Sequence, residues 1–431
     1  MTGNTLLLFY LLPLVVIVVG YLWYRRAIEG RDAAKYQETV ASGIGEPVSL
    51  HPVIDPEKCI GSGGCITACP EKALGFVMGQ GHLVNPSACI GHGVCVKACP
   101  VDAIKLVFGT AKRGIDIPYV SPTFETNIKG IFIAGELGGM GLIRKAVEQG
   151  RQALSAIKKS PDPSLLDLVI IGAGPAGLAA SLGAMEQEMR FVTVDREDAL
   201  GGTVYQYPRN KIVMTAPMVL PMVGKIKMSE ISKEKLLEVF QGVVEKTGLK
   251  INFGESLERI DRSGEGFIVK TSKSSYRTKN VLLALGRRGT PRKLGVPGEN
   301  QAKVVYRLVD PEQYRGQHVL VVGGGDAAVE AAMAVAEEAG TTVTISCRTE
   351  AFGDAKIKNR EKIMAMAAAG KLTTYFNANV KQIDEESAVV IHGDQEVSFP
   401  NEAVIVCAGG LPPTPLLKDI GVIIETKHGT A

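Results

Sequence analysis

Six of the chain's eight cysteines lie between residues 59 and 99, in two runs: "CIGSGGCITACP" from Cys59 and "CIGHGVCVKACP" from Cys89. Each reads Cys-x5-Cys-x3-Cys-Pro, and the second repeats the first thirty residues on. A disulfide framework could use the same six residues, but the doubled local pattern argues for a metal site, because thiolates are soft ligands suited to zinc or to iron–sulfur clusters. Zinc held by three cysteines and His92 is open at the second run. The other histidines follow no metal-ligand pattern.

Further along stand two glycine signatures. "LDLVIIGAGPAGLAA" reads as a buried strand, a glycine turn and a helix start, with Gly172, Gly174 and Gly177 in G-x-G-x-x-G spacing. A second strand, "FVTVD", ends in Asp195. Such glycines let the backbone approach a pyrophosphate at a helix N-terminus, and Asp195 can accept a ribose hydroxyl. "QHVLVVGGGDAAVEAA" repeats the plan with Gly323, Gly325 and Ala328. Its following strand ends at Arg348, not at a carboxylate, and Lys356, Lys358 and Arg360 come soon after. An arginine there suits a 2′-phosphate, which favours NADPH over NADH. A solvated helix face is an equal account of the later basic run.

The cysteine runs resemble the bacterial two-cluster ferredoxins over about residues 51–108. In that family the last cysteine of each run binds the other cluster. Carried over, the resemblance implies Cys59, Cys65 and Cys99 at one site and Cys89, Cys95 and Cys69 at the other. The departure is specific: Ser62 and His92 stand where the family has a fourth thiolate. A three-iron (3Fe-4S) cluster, a four-iron (4Fe-4S) cluster completed by Ser62 or His92, and an empty site all stay open.

Two glycine units in series resemble the flavin-dependent pyridine-nucleotide reductases, particularly the thioredoxin-reductase-like group. "ALGGTVYQYPRNK", with Gly202, resembles that family's loop leading to the isoalloxazine. "VLLALGRRGTPR" and "AVIVCAGGLPPTPLL" resemble its crossing and return strands. The resemblance implies FAD at the first unit and NADPH at the second. The Cys-x-x-Cys of thioredoxin reductases has no counterpart in "VVYRLVDPEQYRG". Cys347 and Cys407 read as core residues, so the chain is not a thioredoxin reductase.

That family normally ends in a strand, a Gly-Asp turn and a helix. Here the matching piece stands ahead of the first glycine unit: "FETNIKGIFIAGELGGMGLIRKAVEQGRQALSAI", with Glu136 for the aspartate and a helix from about Met140 to Ile157. The flavin domain therefore resembles a circular permutation of the family, fused behind the ferredoxin-like part.

Residues 1–24 carry no charged side chain, and Leu6–Tyr24 is long enough to cross a bilayer. Pro13 would kink such a helix without preventing insertion. Tyr21, Trp23 and Tyr24 suit an interfacial belt, and Arg25-Arg26 place the rest of the chain in the cytoplasm. The expectation is a single-pass anchor in the cytoplasmic membrane. The fold class expected is α/β, with two Rossmann-like domains, a small α+β ferredoxin-like domain and one N-terminal transmembrane helix. The segments are an anchor at 1–26, a linker at 27–50, the iron–sulfur domain at 51–108, the permuted piece at 115–160, the FAD domain at 165–295, the NAD(P)H domain at 300–405 and a return to the FAD domain at 406–431. A length of 431 residues accommodates these parts, and a net charge of +3 gives no reason to expect nucleic-acid binding.

The function expected is an oxidoreductase passing electrons from NADPH to FAD, to iron–sulfur clusters and to an acceptor. Ferredoxin, quinone or a membrane redox protein is open as that partner, as is a homodimer. No side chain is assigned a nucleophilic or acid–base role. The rivals are the reverse flow of a ferredoxin–NADP reductase, a disulfide reductase, and a non-catalytic redox sensor.

Overall fold

The computed structural model describes residues 3–41, 50–89, 91, 93–110, 114–139, 141–209, 211–214, 217–228, 230–287, 289–353 and 355–429, with the side chains at 3–11, 13, 14, 41, 87, 214 and 290 excepted. The chain divides into two compact units, Met1–Gly114 with His428–Ala431 and Ile115–Lys427.

The first unit contains α1 (Gly3–Ala41), β1 (His51–Ile54), α2 (Gly64–Ala68), β2 (Leu74–Val77), β3 (Gln80–Leu83), α3 (Val94–Lys97) and β4 (Ile104–Val107). β1 pairs antiparallel with β4, and β2 with β3. The cysteine repeat is also a repeat of structure. Each run enters a short helix through a glycine in the left-handed region, Gly63 and Gly93, both at φ 73°. The small core is Cys65, Leu74, Cys95 and Ile104.

The amino-terminal expectation needs correction. The apolar run and the first half of the expected linker form one helix of 39 residues. Among the described residues no helix is long and apolar enough to cross a membrane. The transmembrane anchor, and the cytoplasmic-membrane location drawn from it, fall with that finding. The side chains of Leu6–Leu11 lie outside those described. From Arg25 onward α1 is polar and packs on the β2–β3 hairpin. Asp32 and Thr39 are buried there. Asp32 Oδ2 accepts from Phe76 N at 3.0 Å, and Thr39 Oγ1 donates to Val84 O at 3.1 Å.

In the second unit β6 (Ile131–Ile133), α4 (Ile143–Ala156), β7 (Leu166–Ile171), α5 (Pro175–Glu186) and β8 (Phe191–Val194) build the first nucleotide fold, after the short β5 (Ile115–Pro118). The sheet runs Leu257–Ser263, Gly266–Thr271, Ser275–Leu283, β7, β8. β6 joins it by pairing parallel with Ser275–Leu283, Val281 opposite Ile131, so one strand separates β6 from β7. Continuous apolar runs suit these strands because both faces are covered. α4 lies on α5 so closely that a Cβ on Gly150 would sit 2.1 Å from Ala176 O. Ala146, Val147, Leu154 and Ile157 are buried, as the apolar periodicity predicts, while Met140 lies outside the described residues. β5 pairs antiparallel with Ile424–Lys427 near the end of the chain.

The second nucleotide fold is a five-stranded parallel sheet in the order Val304–Val305, Ala403–Val406, His318–Val322, Thr342–Ser346, Thr373–Tyr375. Helix Asp326–Ala336 follows its glycine turn.

Candidate functional site

β7 delivers the chain to Gly172 at φ 110°, where a Cβ would lie 2.5 Å from Ala284 O. A Cβ on Gly177 would lie 1.7 Å from Gly172 O. Glycine is therefore required at both positions. Gly174 is different: a Cβ there would meet nothing nearer than Gly202 Cα at 3.9 Å and Gly201 O at 4.0 Å. The Gly201 N–H donates to Ala173 O at 3.2 Å, which ties the two loops together. The result is a backbone-walled cradle at the N-terminus of α5. Its shape and its exposed amide donors fit the pyrophosphate of FAD.

Asp195 is buried at the end of β8. Its Oδ2 accepts from Ala173 N and its Oδ1 from Glu197 N. Burial pushes its carboxyl pKa up, against the pull of those two amides. Asp195 thus braces the glycine turn, and its remaining lone pairs are what a ribose hydroxyl would meet. Glu136 is half-buried and opens a 3-10 turn after Gly135, which sits at φ 86°. The Gly135 N–H donates to the buried Gln149 Oε1 at 2.8 Å. Sequence reasoning passed over Gln149, although one polar residue on the buried face of α4 was the available signal.

The second turn follows the same plan. Gly323 is at φ 141°, and its Cβ would lie 2.5 Å from Cys407 O; that of Gly324 would lie 2.4 Å from Cys347 Sγ. Gly325 caps helix Asp326–Ala336, and Ala328 is buried. Arg348 is exposed beyond Thr342–Ser346. Lys358 and Arg360 lie on helix Ile357–Ala368. Both remaining cysteines are free thiols; Cys347 is in the core and Cys407 is part-buried. Arg307, inside the cysteine-free segment, lies 5.9 Å over the ring of Tyr205 in the flavin-side loop, and Lys233 lies 5.6 Å over the same ring. Neither contact was visible from spacing.

In the first unit Cys59, Cys65, Cys99 and Ser62, among others, line one pocket. The last cysteine of the second run therefore joins two from the first. Ala103 N donates to Cys99 Sγ at 3.2 Å. Burial pushes the Cys65 thiol up, with Cys59 and Cys95 adding to it. Cys89 is pushed up to about 11, chiefly by burial, against a bond from the Gly91 amide; Cys69 and Cys95 add to the rise. Cys69 and Cys95 are thus near enough to act on Cys89, and Cys95 acts on Cys65 as well. Among the described residues no three His, Cys, Asp or Glu side chains close on a single-ion position. His92 lies outside the described residues. Grouped thiols and an amide bonded to sulfur fit an iron–sulfur cluster, which holds such thiols deprotonated.

Residues 169–431 match the pyridine nucleotide-disulphide oxidoreductase family, and residues 51–100 match the 4Fe-4S dicluster domain. The chain belongs to the pyridine nucleotide-disulphide oxidoreductases. It is an NAD(P)H-dependent, FAD-containing iron–sulfur oxidoreductase. It is similar to a ferredoxin–NADP reductase of Ignicoccus hospitalis, 27% identical over 266 residues, 61% of this chain and 83% of that one. It is also similar to the bacilliredoxin reductase Bdr of Bacillus subtilis, 26% identical over 267 residues, with 61% and 82% covered. Its fold is like that of the bacillithiol disulfide reductase Bdr (YpdA) from Bacillus cereus, with a TM-score of 0.53, 24% identity, and 60% and 82% of the two chains covered.

Proposed function

We propose that electrons pass from NADPH through FAD to the iron–sulfur sites and on to an external one-electron acceptor. One contrast carries this reading: the nucleotide-binding unit offers no redox thiol pair, while the other unit gathers Cys59, Cys65 and Cys99 around one cavity. Bound FAD supplies the chemistry that accepts a hydride and releases electrons singly. The chain's own residues bind and orient. Gly172, Gly174, Gly177 and Gly202 hold the flavin nucleotide's pyrophosphate, and Asp195 and Glu136 serve its ribose and ribityl side. Gly323, Gly325 and Ala328 take the second nucleotide, with Arg348 at its 2′-phosphate. Cys59, Cys65 and Cys99 hold one cluster, and Cys89, Cys95 and Cys69 the other. Three thiolates with Ser62 beside them suit a three-iron cluster, or a four-iron cluster completed by the serine.

The segment 115–160 is, in the same proposal, the family's last strand and helix carried to the front of the chain. In support, β6 lies in the sheet that contains β7, and the family's match begins only at residue 169. Likeness to ferredoxin–NADP reductases favours a second reading, the same path run towards NADP.

Anaerobically purified protein should contain FAD, iron and acid-labile sulfide, with an EPR signal from the oxidised state if three-iron clusters are present. Stopped-flow mixing with NADPH should bleach the flavin first and the clusters second. Cys65→Ala with Cys95→Ala should keep flavin reduction and abolish transfer to a one-electron protein acceptor. Wild-type transfer by that double variant, or fresh protein lacking sulfide, would overturn the path.

A further inference from the structure

We propose that Arg25, carried on α1, raises the reduction potential of the first iron–sulfur site; this rests on the preceding assignment of a cluster to the Cys59 cavity. Arg25 Nη2 donates to Gly61 O at 3.2 Å. Its guanidinium carbon lies 5.2 Å from the centre of the Phe76 ring. Gly61, Ser62 and Gly63 line the same cavity as the three cysteines. The Phe76 ring in turn lies against Gly63, where a Cβ would come within 2.7 Å of it. Arg25 and Phe76 therefore cover the loop from Cys59 to Cys65 at the position where this chain has a serine and not a thiolate.

The charge is held in place. Glu29 Oε1 accepts from Gly79 N at 2.6 Å, and Asp32 Oδ2 accepts from Phe76 N at 3.0 Å. The Tyr36 ring packs against His82 at a tilt, with ring centres 5.5 Å apart. Each contact fixes α1 to the β2–β3 hairpin a turn or more beyond Arg25. Among the described residues Arg25 makes no ion pair, and Glu29, one turn on, spends its Oε1 on Gly79 N.

The thirty-residue repeat supplies an internal control. Gly61 in the first run corresponds to Gly91 in the second. Both are left-handed, at φ 66° and 70°. A Cβ at Gly61 would meet Gly79 O at 2.1 Å and Arg25 Nη2 at 3.8 Å, whereas one at Gly91 would meet the backbone and Cβ of Leu50. Among the described residues Arg25 thus borders the first turn and Leu50 the second. Reduction adds one electron, drawn from NADPH through the flavin, and makes the site one charge more negative. A nearby fixed cation in a medium less polar than water stabilises that state. The first site is thus the better electron acceptor of the two.

The test is an EPR-monitored redox titration of full-length holoprotein. A Cys95→Ala background, which removes the second site's cluster, assigns the signals. Arg25→Gln should move the first site to lower potential and leave the second unchanged, and Arg25→Lys should fall between. Phe76→Leu keeps the charge but loosens its seat, and should shift the first site less than Arg25→Gln. An unmoved potential with two intact clusters, or equal movement of both sites, overturns the role of Arg25 alone. Loss of the first cluster in both the Gln and the Lys variants would make Arg25 a structural brace and also overturn it. Wild-type protein without sulfide would instead fell the underlying cluster assignment.

Discussion

The two glycine turns share one scaffold and differ in what stands at the strand end. In each, the first glycine faces a carbonyl just past the end of a neighbouring strand, Ala284 or Cys407, at the same 2.5 Å from an added Cβ. At the third position the first turn admits only glycine, because Gly172 O fills the space, while the second accepts Ala328. Asp195 is buried and spent on its own loop, whereas Arg348 is exposed. The strands also begin differently. β7 starts on a buried Asp167 paired with Arg190 at 2.8 Å; His318–Val322 starts on an exposed His318–Glu402 pair.

Substitutions at six positions test that contrast. The largest effect is expected at Gly177→Ala, where the new methyl has no room. It should cost about 1–3 kcal/mol, and the purified protein should lose its flavin absorbance. Ala328→Gly should cost only ~0.5–1 kcal/mol and keep nucleotide binding. Wild-type flavin content in Gly177→Ala would break the distinction. Next, Arg348→Glu should raise the NADPH KM roughly thirtyfold, a loss of about 2 kcal/mol, and spare NADH. Equal effects on both nucleotides would remove the arginine from the 2′-phosphate.

Third is Asp167→Asn. Burial alone would push the Asp167 carboxyl up, but the Arg190 side chain, the Arg190 N–H and the Ser160 N–H together hold it below the ordinary range. The variant should lose ~1–3 kcal/mol at neutral pH by chemical denaturation. A depressed carboxyl contributes stability above its unfolded pKa and loses it as pH falls through the folded one. The deficit should therefore shrink in acid. Substituting Glu402, whose ion pair is solvated, should change stability less. Asp195→Asn should be the mildest, at about 1 kcal/mol, with the opposite pH sense. Because burial raises the Asp195 pKa, its contribution is fully present below its unfolded pKa and is lost as pH rises through the folded value. The wild type should gain on Asp195→Asn as pH falls. Parallel pH profiles for the two aspartate variants would contradict the opposite environments described for them.

Much of this was legible because it depends on spacing. The glycine turns and their strands follow from intervals along the chain, whereas the grouping of Cys99 with Cys59 and Cys65 was implied by the resemblance to ferredoxins. Asp195 was legible as a strand-end acid, but not as a brace, since its bonds to Ala173 and Glu197 depend on how the turn closes. The amino terminus was misread for a different reason. Hydropathy weighs a window and ignores what the helix continues into. Glu29, Asp32 and Thr39 look like linker residues because they leave no apolar stripe; α1 docks through their bonds to backbone groups of the hairpin. Arg25 beside Tyr24 read as a membrane flank until Phe76 and Gly61, far away in sequence, gave it a place.

The pairing of β6 with Ser275–Leu283 also sets a timetable. Ile131, Phe132 and Ile133 are almost completely buried, and their partners Val281–Leu283 leave the ribosome 150 residues later (281 minus 131). At ~5–20 residues per second, that is a wait of roughly 8–30 s. During it an apolar strand and the amphipathic α4 have no sheet to join, while a chain carrying this piece last would lay it onto a finished one. Slow or crowded synthesis should therefore favour aggregation of nascent chains, without any weakness of the completed fold.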